Sequence, residues 1–229
     1  MTALFLSCEH GGNEVPERLR ACFAGLEEIL ETHRGWDPGA LDLFDDLKPL
    51  AAHSTFATLS RLCIEMNRTE GHPQHFSRFT RPLPEADKAV LLREYRAYRQ
   101  AFTDKIAAQI KAGHDVLHIA VHSFTPVLDG QPRHMDIGLL YDPARQAERN
   151  FCWAWRRAIN RHAPQLIVRM NQPYKGTADG FPTALRKQFP RHYAGIELEV
   201  NQRFANDGRM DTEVKTALYR SLAELLPVR

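Results

Sequence analysis

The chain has 229 residues, 30 Lys and Arg against 28 Asp and Glu, and a formal net charge of +2. That balance leaves no basic footprint for a nucleic acid, and 43% apolar with 25% charged residues is globular composition, not disordered or fibrous. No apolar run approaches the roughly 20 residues of a membrane helix, and the four cysteines form no C-x-x-C pair, so neither a membrane protein nor a zinc knuckle or redox motif is expected.

The predicted elements alternate between strand and helix. Leu4–Cys8 reads as a buried strand. Pro16 to about Thr32 has helical periodicity through Leu19, Phe23, Leu26, Ile29 and Leu30, with Pro16 in the first turn. Asp37–Leu47 reads as a second helix behind an Asp-Pro cap. Thr55–Leu59 and Leu62–Met66 read as strands, and Gly71–Pro84 as an irregular loop rich in Pro, His and Arg. Pro84 then opens the longest helix, which runs to about Ala112 and stops at Gly113. Val116–Val121 and Asp136–Leu140 are strands, Ala144 to about Arg161 a helix, and Gln165–Met170 a strand. Asn171–Pro182 is a loop, Ala194–Val200 a strand and Asp211–Leu226 the last helix. This order predicts an α/β fold, three layers deep, with a mixed and mostly parallel central sheet. With no repeat or linker, one domain over residues 1–229 is the simplest reading. The apolar stretch Ala3–Leu6 is too short for a signal peptide, and reduced thiols suit a cytoplasmic protein.

Sites in open α/β sheets form beyond the carboxyl ends of the strands. Here the first strand runs into Glu9-His10-Gly11-Gly12, LCIEM carries Glu65 into Asn67-Arg68, VLHIAV runs into His122-Ser123, and GIELEV carries Glu197 and Glu199. Two histidines, several carboxylates and an Asn-Arg pair can therefore meet along one edge. Those are zinc-type ligands, a general base and an anion clamp. Each also has a plainer reading. A histidine at a strand end is commonly a hydrogen-bonded structural residue, Asn67-Arg68 can be a turn with a surface Arg, and the glycines can be only a turn. The combination favours a site. His114, His118, His134, His162 and His192 lack this setting and read as structural or surface residues. There is no G-x-S-x-G elbow for Ser123, no H-E-x-x-H, no P-loop and no G-x-G-x-x-G.

In order and spacing, SCEHGGNEVP, RLCIEMNR, AVHSFTP, RHMDIGLLYD, NQPYKGTADG and GIELEVNQ resemble the N-formylglutamate amidohydrolase family over about Leu4 to Gln202. That family is related to the zinc carboxypeptidases and to succinylglutamate desuccinylase and aspartoacylase. The resemblance implies a phosphorylase/hydrolase-like fold, one zinc ion per chain (another divalent metal being possible), and a small N-acylated acidic amino acid as substrate. It implies no nucleic-acid or membrane partner and leaves the oligomer open. It casts His10 and His122 as zinc ligands, Glu65 as the carboxylate supporting His10, Glu197 as the general base, and Asn67 and Arg68 as the clamp for a substrate carboxylate. A second carboxylate needs a second cation, with Arg133, Arg61 and Lys175 as candidates. The carboxypeptidase spacing H-x-x-E is broken, because Asn13 stands where the acid belongs and Glu14 follows. The resemblance makes Glu14 the expected third ligand, with Asn13 the weaker choice. A metal carboxypeptidase or deacylase of other N-acyl amino acids is the alternative activity. A non-catalytic amino-acid binder is the alternative of another class, and the broken spacing favours it.

Overall fold

The computed structural model describes residues 2–226. Six strands form one mixed sheet: β1 (Thr2–Cys8), β2 (His53–Phe56), β3 (Asp115–Phe124), β4 (Ile137–Leu140), β5 (Val168–Met170) and β6 (Tyr193–Asn201). Their order across the sheet is β2-β1-β3-β6-β4-β5. β2, β1, β3 and β6 run parallel, β4 runs antiparallel to β6, and β5 runs parallel to β4. The helices are α1 (Ala40–Leu47), α2 (Glu85–Lys111), α3 (Gln146–His162), α4 (Phe181–Gln188) and α5 (Thr212–Leu225).

The central strands are buried on both faces, as parallel strands require. Leu4, Leu6, Leu117, Ile119, Ile196 and Leu198 face one core, closed by Leu43 and Phe44 of α1, Trp155 of α3 and Leu218 of α5. Phe5, Val116 and Tyr193 face the other, closed by Phe102 and Ile106 of α2 and Phe181 and Leu185 of α4. On this second face the side chains turn polar toward the carboxyl ends: Ser7, His118 and His122 are buried there, and so is Glu199. The three-layer mixed sheet is the architecture expected from the sequence. Among the described residues, no helix is long and apolar enough to cross a membrane.

The chain between β1 and α2 departs from the sequence reading. Pro16–Thr32 is not one helix but two short 3-10 turns, Glu17–Phe23 and Glu27–Ile29. Gly25, at φ +72°, breaks the ladder between them. The apolar stripe is real, because Leu19 and Phe23 pack with Cys63, Ile64, Leu91 and Tyr95, so burial was legible where the hydrogen bonding was not. Leu62–Met66 is no strand. Its carbonyls at Leu62 and Cys63 accept from Ser77 and Thr80 hydroxyls, and its Glu65 amide donates to the His75 carbonyl. Helix α4 went unread in the sequence because it lies partly within the Gly- and Pro-rich loop. At Asp211 the expected start holds: its carboxylate caps α5 by accepting from the Glu213 and Val214 amides.

Candidate metal and active site

Two backbone features build the site. The chain leaving β1 runs against residues 57–58, with the Gly11 amide 3.0 Å from the Ala57 carbonyl and the Glu14 amide 2.9 Å from that of Thr58. A Cβ on Gly12 would stand 2.7 Å from the Thr58 oxygen, so only glycine fits this close approach. The turn leaves the His10 ring facing inward, 2% exposed. The second feature is the late start of α1. Pro38 and Gly39 delay the helix to Ala40, and the Asp37 amide donates to the His10 carbonyl at 2.9 Å. The Asp37 side chain is then not a helix cap. It points into the site.

His10, Asp37 and His122 converge. Asp37 Oδ2 lies 3.3 Å from His10 Nδ1 and 2.9 Å from His122 Nδ1, and one ligand atom of each residue lies within 4.8 Å of the others. Ligands about 2.0–2.2 Å from a tetrahedral zinc stand roughly 3.3–3.6 Å apart. Two imidazole nitrogens and a carboxylate oxygen, all buried, are thus a donor set that fits a divalent cation with a coordination position to spare.

Each ring of the pair is flanked on its far side. His10 Nε2 contacts Glu65 Oε1, and His122 Nε2 lies 3.1 Å from Glu9 Oε2. Arg61 ties the cluster together, donating to Asp37 Oδ1 at 3.0 Å and to Glu65 Oε2 at 2.8 Å. Burial opposes ionisation of Asp37 and Glu65, yet the facing charges and hydrogen bonds of His10 and Arg61, and of His122 at Asp37, hold both well below the usual carboxylate range. For His122 burial works against the proton, and Asp37 and Glu9 overcome it, raising its pKa well above the ordinary value.

The two candidate bases separate. Glu199 is the direct cross-strand partner of His122, and Glu197 is paired one step back with Ala120. Glu199 is 7% exposed, and its Oε2 has no hydrogen-bond partner. Burial, with Asp37 and Glu197 adding repulsion, pushes its pKa up to about 8 against the pull of His122 and Arg61. Glu197 instead accepts from Asn67 Nδ2 at 3.1 Å.

Glu14 requires a correction. It is exposed, and its Oε2 accepts from Thr58 Oγ1 at 2.7 Å. An isolated bridge pairs Glu14 with Leu59, and Glu14 is not among the groups that converge with His10 and His122. Asn13 is no substitute, since its amide donates to the Leu30 carbonyl. Asp37, 27 residues from His10 in sequence, occupies the place between the histidines and is the carboxylate that completes the candidate metal cluster. The sequence held one signal for it, an Asp immediately before Pro-Gly, and the helix-cap reading absorbed that signal.

The expected anchors lie around this cluster in different states. Asn67 is engaged at both ends of its amide, by Glu197 and by the Phe181 amide. Arg68 Nη1 donates to the Asp179 carbonyl. Arg133 lies over the Phe124 and Tyr174 rings and donates to Tyr174 Oη at 3.0 Å. Among the described residues, neither Arg68 nor Arg133 has a carboxylate partner, whereas Arg61 is fully committed to Asp37 and Glu65. A cavity of about 820 Å³ lies at the opposite end of the strands near Asp115, Arg145 and Leu226, with Asp115 paired to His192. Among the described residues, no set of three metal-ligand groups converges there.

No curated protein sequence matches the chain. Its fold is shared by solved structures. A gene product of Agrobacterium tumefaciens is 24% identical with a TM-score of 0.76, the match covering 97% of this chain and 91% of that one. The N-formylglutamate amidohydrolase of Ralstonia eutropha JMP134 is 18% identical with a TM-score of 0.68, the match covering 98% and 94%. Residues 2–205 match the family model described as N-formylglutamate amidohydrolase. On that match, which spans β1 through β6, the chain belongs to the N-formylglutamate amidohydrolase family.

Proposed function

We propose that this protein hydrolyses the amide bond of an N-acylated acidic amino acid, N-formyl-L-glutamate first among them, with one zinc ion held by His10, Asp37 and His122. The observation that carries the reading is the single oxygen, Asp37 Oδ2, approached by the Nδ1 atoms of both histidines. A zinc ion bound there supplies Lewis-acid polarisation of the acyl carbonyl and acidifies water toward a pKa of ~7.

The chain's own groups supply the rest. Glu199, beside His122 and with a free carboxyl oxygen, takes the proton of the attacking water and returns it to the leaving amine nitrogen. Added positive charge at the triad favours its ionised form, the form a base needs. Glu197, the base implied by the family resemblance, is the rival. Its bond to Asn67 favours a part in holding the 67–69 and 179–181 segments together. Arg68 and Arg133 each have guanidinium donors free to fork onto a carboxylate, and two such anchors suit a substrate with two carboxylates. Arg61 holds Asp37 and Glu65 in place. Formate and glutamate are the products on the family substrate.

The test is formate release from N-formyl-L-glutamate by the purified protein, with metal content measured alongside. About one zinc per chain, loss of turnover on chelation and its return with zinc support the reading. Full turnover by metal-free protein overturns the zinc part. Failure on every N-acyl glutamate and aspartate offered, with zinc bound, overturns the substrate class.

A further inference from the structure

Both histidines of the triad meet a buried glutamate on the far side of the ring. For His10 it is Glu65. For His122 it is Glu9, a residue that neither the motifs nor the proposed mechanism assigns a role. Glu9 is 0% exposed, and its Oε2 stands 3.1 Å from His122 Nε2. The two atoms face each other at ion-pair distance without an aligned hydrogen bond, and neither has a hydrogen-bond partner among the described residues; leaving two such groups buried and unpaired is costly.

We infer that Glu9 is a positioning residue for His122: its carboxylate takes the Nε2–H of the ring and so turns the Nδ1 lone pair toward Asp37 and the cation. The inference rests on the metal reading above. A ligating imidazole is commonly oriented in this way by a carboxylate on its other nitrogen, which fixes the tautomer and raises ligand basicity.

The surroundings of Glu9 are built to hold a carboxylate. Tyr98 of α2 donates its phenol to Glu9 Oε1 at 3.0 Å. Ser7 Oγ, on the same face of the sheet, lies 2.7 Å from His118 Nε2. His118 Nδ1 in turn lies 2.7 Å from Tyr193 Oη. Burial keeps His118 neutral, with its pKa lowered to about 3, so one ring nitrogen donates and the other accepts. Tyr98 takes one oxygen of the Glu9 carboxylate and leaves the other, Oε2, facing His122.

The experiment measures the zinc dissociation constant by chelator competition and the absorption spectrum of the Co²⁺-substituted protein. The proteins are the wild type, Glu9→Gln and Tyr98→Phe, with circular dichroism of each metal-free protein as the control for folding. Glu9→Gln is expected to raise the zinc Kd by roughly 10–100-fold and to shift the Co²⁺ bands. Tyr98→Phe keeps the carboxylate and is expected to raise the Kd by less. A folded Glu9→Gln protein with the wild-type Kd and Co²⁺ spectrum overturns the inference. Should Glu9→Gln fail to fold, Tyr98→Phe decides alone: a raised Kd supports the inference and an unchanged Kd overturns it. A wild type that binds neither zinc nor cobalt removes the metal reading itself, and the two failures are thereby told apart.

Discussion

Asp37 and His122, 85 residues apart in the chain, meet at 2.9 Å through Oδ2 and Nδ1 at the carboxyl end of β3. Asp37→Asn keeps the shape of the residue and removes the charge. As the loss of a ligand, it is expected to weaken zinc binding by more than the ~10–100-fold typical of an outer partner. Glu65→Gln, which alters the support of His10, is expected to fall within that ~10–100-fold range. Glu14→Gln should leave the zinc Kd unchanged. Chelator competition on the three variants checks the order, and zinc loss in Glu14→Gln with full binding in Asp37→Asn would restore the H-x-x-x-E reading.

Glu199→Gln is expected to lower kcat on N-formyl-L-glutamate by ~10²–10⁴-fold with zinc still bound, the cost of losing a general acid–base group. Glu197→Gln retains the hydrogen-bonding shape against Asn67 and should lose much less. Steady-state kinetics with metal content measured on each preparation settles the pair. A dead Glu197→Gln beside an active Glu199→Gln reverses the roles.

The substrate anchors separate by parameter. Arg68→Lys and Arg133→Lys keep the positive charge but lose the planar fork. Each is expected to raise KM, with a smaller fall in kcat as the amide drifts from its alignment. A substrate lacking the side-chain carboxylate, such as N-formylnorleucine, should lose its sensitivity to one of the two variants and keep it to the other. If neither substitution moves KM, the carboxylates are bound elsewhere.

Glu199 gives the metal-free protein a pH signature. Its pKa in the folded state is pushed up to about 8 by burial, with Asp37 and Glu197 opposing ionisation and His122 and Arg61 favouring it, against an ordinary value of 4.5. Between these values the folded state holds a proton that the unfolded chain has released. Stability through this group therefore falls as pH rises, by up to about 1.4 kcal/mol per unit. Glu199→Gln removes the dependence, so its metal-free form should gain in thermal stability over wild type from pH 5 to 8, with the largest gain at pH 8. Parallel melting curves for the two proteins across that range would show that Glu199 is ionised in the folded state.

The sequence by itself determined the layers, because strand and helix periodicities are local. The runs at Leu4–Cys8, Val116–Val121 and Ala194–Val200 are buried strands, and Pro84 and Gly113 bracket α2. It also placed His10, His122 and the Glu197/Glu199 pair at strand ends, since in a mostly parallel sheet the carboxyl ends of neighbouring strands share one edge. Tertiary structure decided what happened between the elements. The apolar stripe from Leu19 to Leu30 was visible, but its division into two 3-10 turns depends on Gly25 and on packing against α2 and the 62–66 segment. Periodicity could not choose between Glu197 and Glu199, because both face the same side of the strand. Only the register of β6 on β3 sets Glu199 against His122. Asp37 could not be read as a candidate ligand, because no spacing rule joins it to His10 or His122. Its place depends on the close approach at Gly12 and on the backbone bond from its amide to the His10 carbonyl, contacts made only once the two loops have packed together.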